Sequence, residues 1–192
     1  MNTVPLSWGK CTLFIKSSES GSKWKRLVTP VEDSTNLATT QGDKMEAKVE
    51  GGENEAVKYK KNTYQLTFNI RKAQGRAQPI PNTDGIVKAE YSVLLLPEDA
   101  TTDGFYIERC SANIQDTFTT ADGAIWNITM DALVPTKKGN TVKWGIITVV
   151  EPTTGENPSG GTVNFNENSE MMAEGQESAF HFDAPEAFEE QG

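Results

Sequence analysis

Histidine and cysteine are scarce in this chain of 192 residues, which contains His181, Cys11 and Cys110 and no others of either type. A hydrolytic triad needs a well-placed imidazole, and a zinc site needs about four nitrogen or sulfur ligands. No glycine-rich stretch has the phosphate-cradling spacing. The oxygen-rich stretches PEDATTDG (97–104) and GGENE (51–55) lack the spacing of an EF-hand loop. We therefore expect a protein that is not an enzyme, with no metal and no cofactor, and two free thiols on strands.

Long apolar runs are missing as well. No window approaches the ~18 apolar residues that a membrane helix requires. The first residues, MNTVPLSWGKCTLFIK, have neither the basic start nor the apolar run of a signal peptide. We expect no membrane partner and synthesis in the cytoplasm.

Basic residues are absent from the C-terminal segment, residues 151–192, which carries ten acidic side chains. Because the whole chain has 27 acidic and 18 basic residues, residues 1–150 hold 17 acids and 18 bases and are almost neutral. A neutral body argues against specific nucleic-acid binding. The sequence thus divides into a body (1–150) and an acidic linker and tail (151–192). The tail is either disordered or docks on a neighbouring subunit through TVNFN or AFHFD as an added strand.

The most frequent residue pattern in the chain is that of β-strands. Tyr64, Leu66, Phe68 and Ile70 alternate with polar residues in TYQLTFNIRK, and turn residues separate similar segments. A short helix or turn is possible only within 73–88. The pattern predicts a mainly β fold, an antiparallel β-sandwich or barrel with at most one short flanking helix. The expected strands are 11–16, 23–28, 43–50, 63–72, 90–96, 105–118, 124–133 and 141–150.

The polar faces of three of these strands carry few charges. They consist mostly of Thr, Ser, Asn and Gln: Thr63, Gln65, Thr67, Asn69 and Arg71; Ser111, Asn113, Gln115, Thr117 and Thr119; and Asn127, Thr129 and Asp131. Three interpretations are open: solvent-facing β-surface, a sugar- or peptide-binding face, or the wall of a subunit contact or water-filled channel. Trp126 and Trp144 lie in apolar strand patterns and are expected in the core.

The stretch VEGGENEAVKYKKN (49–62) is much longer than the two to five residues of a typical hairpin loop. It is acidic in its first half and basic in its second, and adjacent glycines permit a sharp turn. We expect a loop that offers complementary charge to another copy of the protein. The candidate interface residues are Glu50, Gly51, Gly52, Glu53, Asn54, Glu55, Lys58, Lys60 and Lys61.

Over roughly residues 5–150, the chain resembles the major tail (tail tube) proteins of long-tailed bacteriophages and prophages, which are similar to the tube subunit of type VI secretion. The resemblance lies in WGKCTLFIK, in TPVEDSTNLATTQGDKMEAKVEGGENEAVKYKKNTYQLTF, and in the later order EYSVLLLPED, ADGAIWNITMDALVP and VKWGIITV. It implies a β-sandwich-like subunit with no catalytic residues, whose long loop reaches the next ring.

The same resemblance implies a function: a virion protein, made in the bacterial host cytoplasm, that forms stacked hexameric rings around a conduit for DNA. Its partners would be itself and the tail proteins at the tube ends, and DNA would pass without specific binding. The alternative is a non-catalytic binding module, such as a capsid-decoration protein or a glycan-binding β-sandwich. A glycan binder would present exposed aromatic side chains as a stacking platform.

Overall fold

The computed structural model describes Leu6 and residues 9–150, 162–167 and 178–183, and these form a mainly β, sandwich-like fold in which all strand pairings but one are antiparallel. This confirms the expected fold class. The described residues contain no helix; the stretch 73–85 makes turns around its glycines and prolines before the next strand begins. The twelve strands are β1 (Thr12–Ser17), β2 (Trp24–Arg26), β3 (Asn36–Thr40), β4 (Lys44–Lys48), β5 (Asn54–Tyr59), β6 (Thr63–Arg71), β7 (Ile86–Leu96), β8 (Gly104–Thr119), β9 (Gly123–Ala132), β10 (Val142–Val150), β11 (Thr162–Glu167) and β12 (Ser178–Asp183).

The 16-residue strand β8 joins two parts of the large sheet. One edge of β8 pairs with β7. The other edge is shared, since Gly104–Gly145 through Ile107–Val142 are pairs with β10, whereas the part from Cys110 onward pairs with β9. The order β8-β10-β11-β12-β2-β1-β7-β8 therefore closes seven strands into a ring, and β9, β6 and β3 extend from the far half of β8.

Strands β1 and β7 are buried on both faces because a separate core lies on each side of them. Leu13 and Ile15 of β1 point into the larger core, with Phe68, Ile107 and Ile128. The intervening Phe14 points into a smaller core, whose other members are Trp24, Leu94, Ile147 and Phe165. Unbroken apolar runs such as TLFI are typical of strands covered on both sides.

Two strands, β3 and β5, were not predicted. The segments β3 and β5 are rich in polar or charged residues, and their burial patterns are almost uniformly exposed. The segments TVNFN and AFHFD form β11 and β12, which pair with β10 and β2 of the same chain. The remainder of the acidic tail lies outside the described residues.

The two tryptophans that were expected in the core differ. Trp126 is 7% exposed, as predicted. The prediction for Trp144 is wrong, because this side chain is 48% exposed. Val142 and Trp144 share a face of β10, but only Val142 lies over the larger core. Trp144 instead packs edge-on against Phe105, with ring centroids 5.3 Å apart.

Gly104 lies at the end of β8, between β7 and β10. A methyl group at this position would lie 2.2 Å from the carbonyl oxygen of Leu95 and 2.6 Å from Cδ1 of Ile147. Both distances are far below van der Waals contact, and one of the atoms belongs to the backbone. Closure of the seven-strand ring therefore requires glycine here.

We expect Gly104→Ala to lower the free energy of unfolding by about 1–3 kcal/mol, the usual cost of overpacking a tight core. Urea unfolding followed by tryptophan fluorescence measures the change. The control is Gly123→Asn, because nothing lies within 4 Å of that position and its φ of +75° suits asparagine. An unchanged midpoint for Gly104→Ala would contradict the close approach at the ring junction.

The two cysteines are free, and their surroundings differ. Cys11 is half-buried, and its Sγ lies 3.6 Å from Oγ1 of Thr35. Cys110 is completely buried on β8, and burial raises the pKa of its thiol to about 12. Because the thiolate is the reactive form, Cys110 is protected both by its pKa and by its position.

Iodoacetamide at about pH 8 should therefore add to Cys11 in the native protein and to both cysteines after unfolding in guanidinium. Intact-mass and peptide spectra report which thiol carries the adduct. Rapid native alkylation of Cys110 would contradict the burial of β8.

Candidate assembly surfaces

Residues 43–61, here called the arm, form a two-stranded hairpin apart from the main sheet. Strands β4 and β5 pair in register from Lys44–Tyr59 to Ala47–Ala56, with an irregularity after Ala47. At the base of the arm, the backbone N–H of Lys60 donates to the carbonyl of Asp43 at 2.9 Å. The expectation of one long loop over 49–62 is therefore wrong, since six of those residues form β5. The alternation of Val57 and Tyr59 with lysines was the signal for this strand.

The turn of the arm occupies residues 49–53. The N–H of Val49 donates to the Glu53 carbonyl at 3.0 Å, and the N–H of Gly52 donates to the Val49 carbonyl at 3.0 Å. Gly51 and Gly52 have φ angles of +107° and +89°, a region that side chains with a Cβ rarely occupy. The paired glycines thus have the role that the sequence indicated, a sharp turn.

Every residue from 43 to 63 is exposed. Strands β4 and β5 have no strand neighbour except each other among the described residues. An isolated two-stranded hairpin is only marginally stable in water. The arm is therefore a feature that the body does not need for its own core.

Charge is segregated along the arm. The outer part, residues 46–55, contains Glu46, Glu50, Glu53 and Glu55 and a single base, Lys48. The inner part contains Lys44, Lys58, Lys60 and Lys61 and a single acid, Asp43. We call these parts the acidic tip and the basic root. The nine sequence-predicted residues all belong to one or the other, with the glycines at the turn.

Half of the ten charged side chains of the arm form ion pairs within it. Lys60 Nζ lies 2.8 Å from Oδ2 of Asp43, and Glu46 is paired with Lys44 and, at 3.6 Å, with Lys48. These pairs are exposed and each contributes about 0–1 kcal/mol. Within the described part of the chain, Lys58, Lys61 and the glutamates at 50, 53 and 55 have no ion-pair partner. The tip and the root are therefore available to opposite charge from another molecule.

Apolar side chains are exposed on both faces of the arm. Since residues opposite each other share a face, Val57 and Tyr59 lie on one side, with exposures of 44% and 54%. Met45 and Ala47 lie on the other side, and Met45 is 55% exposed. A hairpin tip that only faces water gains nothing from these side chains. Their arrangement is typical of a segment that is covered on both sides by a partner.

The sparsely charged polar faces come together on one side of β6, β9 and β8. Cross-strand rows run Gln65–Asp131–Ser111, Thr67–Thr129–Asn113 and Asn69–Asn127–Gln115. Nε2 of Gln65 donates to Oδ1 of Asp131 at 2.8 Å, and Nδ2 of Asn127 donates to Oγ1 of Thr117 at 2.9 Å. These rows contain no aromatic side chain and so no stacking platform for a sugar. They fit a solvated surface or a subunit contact.

Beyond β6, the sheet ends at β3, whose outer edge has no strand partner among the described residues. Four of its five residues are exposed, and the strand carries neither lysine nor proline to block another strand. An edge of this kind can accept a further strand from another chain.

The acidic stretches considered for cations are occupied by local turns. Oδ1 of Asp99 accepts hydrogen bonds from the N–H and the hydroxyl of Thr101, at 2.9 and 2.6 Å, and these bonds lower the pKa of the Asp99 carboxyl. Within the ranges that the structure describes, no group of three or more His, Cys, Asp or Glu is placed to hold a metal ion. No helix in that part of the chain is long and apolar enough to cross a membrane.

Comparison with known proteins gives no match, either to a family model or to a curated protein.

Replacing residues 43–60 by Asn-Gly, a favoured two-residue turn, should leave the body folded, because the arm adds nothing to either core. We expect Tm to change by less than about 3 °C, measured by calorimetry. As a control, Leu66→Ala at a fully buried position of β6 should cost about 2–5 kcal/mol. Collapse of the body on removal of the arm would show that the arm is structural.

Proposed function

We propose that this protein is a structural subunit that assembles with copies of itself into stacked rings: the tail tube of a long-tailed phage, with six subunits a ring around a conduit for DNA, as the segment order suggests. The observation that carries the proposal is the arm. It is exposed over its whole length, apolar on both faces, and oppositely charged at its tip and root.

Charge along the arm supports contact between identical molecules. The acidic tip of one copy is complementary to the basic root of another, so a head-to-tail contact satisfies both. Such a contact is heterologous and can repeat, closing into a ring or extending along an axis. Ion pairs that become partly desolvated in this way fix register more than they add affinity.

Unpaired strand edges support the same function. The outer edge of β3 and both outer edges of the arm present backbone donors and acceptors without strand partners in the described residues. Left open, such edges lead to uncontrolled aggregation. Pairing them between neighbours in a closed ring removes the exposed edges and adds main-chain hydrogen bonds to the assembly.

The polar rows of β6, β9 and β8 suit the inside of such a ring. A charge on the inner wall recurs in every subunit, so like charges would face each other around the lumen. These rows are built mainly from Thr, Asn, Gln and Ser, which avoids that repulsion and gives DNA no basic surface to bind. The partners are then other copies and the tail proteins at the tube ends, and the location is the virion.

Reversing the basic root tests the proposal. We expect Lys58→Glu, Lys60→Glu and Lys61→Glu together to abolish rings and rods in negative-stain micrographs of concentrated protein, while the circular dichroism spectrum stays unchanged. Glu50→Lys, Glu53→Lys and Glu55→Lys together should have the same effect, because the tip would then meet a root of like charge.

Combining both sets separates charge complementarity from simple damage. A chain with all six changes has a basic tip and an acidic root, and it should again form rods. A matched control reverses three exposed lysines of the body, Lys88, Lys137 and Lys138, and should assemble normally. Unimpaired assembly of either reversed triple would contradict the role of the arm. Dispersed particles of the unaltered protein at every concentration would favour the non-catalytic binding module instead.

A further inference from the structure

The connections around β11 are longer than the strand pairing requires. Val150 of β10 and Thr162 of β11 are paired neighbours, yet 11 residues separate them in sequence. Phe165 of β11 and Ser178 of β12 are also partners, and ten residues lie between the two strands. Adjacent antiparallel strands need only about two to five connecting residues. The excess length permits β11 and β12 to pair with a β10 other than their own.

Strands β11 and β12 make extensive backbone pairing with β10 on one side and little with β2 on the other. Between β10 and β11 there are six residue pairs, from Gly145–Glu167 to Val150–Thr162. Phe165 is 4% exposed in the smaller core, and its ring centroid lies 5.7 Å from that of Tyr106. In contrast, β12 and β2 share two residue pairs, Phe182–Trp24 and Asp183–Lys25. Strand β2 is therefore the most weakly paired member of the seven-strand ring, with two residue pairs to β12 and two to β1.

We propose that β11 and β12 are exchanged between copies, so that the strand pair of one molecule completes the seven-strand ring of the next. The inference rests on the proposed function in that the partner is a second copy. Because the sequences are identical, every residue pair formed within one chain has an equivalent pair in the neighbour. The site on which β12 pairs is complementary in charge: β2 carries Lys25 and Arg26, Lys23 directly precedes it, and the tail carries ten acids and no base.

The length of the connection fits an adjacent copy. Eleven residues span at most about 40 Å when fully extended. A compact body of this size has a radius of gyration of about 15 Å and hence a diameter of roughly 40 Å. The strand pair of one subunit can thus reach the equivalent site on a touching neighbour and no farther. Exchange would tie each subunit mechanically to the next, independently of the arm.

A disulfide between β10 and β11 tests the exchange. Thr148 is exposed, and its Cα partner is position 164; opposed residues of this kind are within disulfide range. We would prepare Thr148→Cys and Asn164→Cys as separate variants, each with Cys11→Ser, mix them, concentrate, oxidise and run a non-reducing gel. We expect a band at twice the 21.0 kDa mass of the chain, absent when either variant is oxidised alone.

The double variant, with both cysteines in one chain, shows whether the two positions meet. Exchange predicts that dilute protein closes the bond within the chain and that concentrated protein gives a ladder of covalent multimers. Intrachain bonds alone, at every concentration and in the mixture, would overturn the proposal, and a double variant that forms no bond would overturn the pairing itself.

Micrographs of the same samples separate this inference from the proposed function. Rods without interchain disulfide bonds would contradict the strand exchange and leave the proposed assembly function standing. Interchain bonds without rods or rings would support the exchange and count against the tube. The unmixed single variants serve as controls for chance collisions between surface thiols.

Discussion

Pairing of the backbone of β8 on both edges is the interaction on which the rest of the structure depends. Buried amide and carbonyl groups must find partners, and β8 supplies them to β7 along one edge and to β10 and β9 in succession along the other. This division places a core on each side of β1 and β7. It also fixes where the sheet stops, at β3, and therefore which edge is left for another molecule.

The arm contrasts with this body in its packing and in its polar ties. The body buries apolar side chains from both faces of its central strands, whereas the arm leaves Met45, Val57 and Tyr59 in solvent. Arg109 donates to both carboxylate oxygens of Glu90 at 2.8 Å and to the Val134 carbonyl at 3.1 Å, which fastens the segment after β9 to the sheet. The side-chain ties at the base of the arm are exposed: the ion pair of Lys60 and Asp43, and the hydrogen bond from the N–H of Gly42 to Oδ1 of Asn62. A rigid body that carries an unsupported hairpin is suited to assembly.

The sequence pattern predicted the eight strands whose segments alternate between apolar and polar residues or form apolar runs. In both cases the positions of the apolar residues indicate which faces of the strand are buried. The pattern missed β3 and β5, since NLATT and NEAVKY contribute almost nothing to the cores and are held by pairing with a neighbour that sequence does not reveal. The position of Trp144 was also missed, because periodicity identifies a face of a strand but not where the core beneath it ends. The candidate residues of the arm were chosen from charge and glycine content alone, and the structure places them on one hairpin. The separation of the arm's charges into an acidic tip and a basic root depends on the register of β4 and β5.

The distance between the acidic tip and the basic root has a consequence for recognition. Five residue pairs run from Lys44–Tyr59 in the root to Lys48–Asn54 in the tip, a length of roughly 13 Å at 3.3–3.4 Å a step, and mobile ions screen charges beyond about 8 Å at physiological ionic strength. From afar, the two opposite clusters cancel and an approaching molecule experiences almost no net field. The two clusters are felt separately only within a few ångströms of contact. In the proposed assembly, the arm would therefore do little to speed the encounter between subunits, and would instead disfavour contacts in which a neighbour is shifted along the axis.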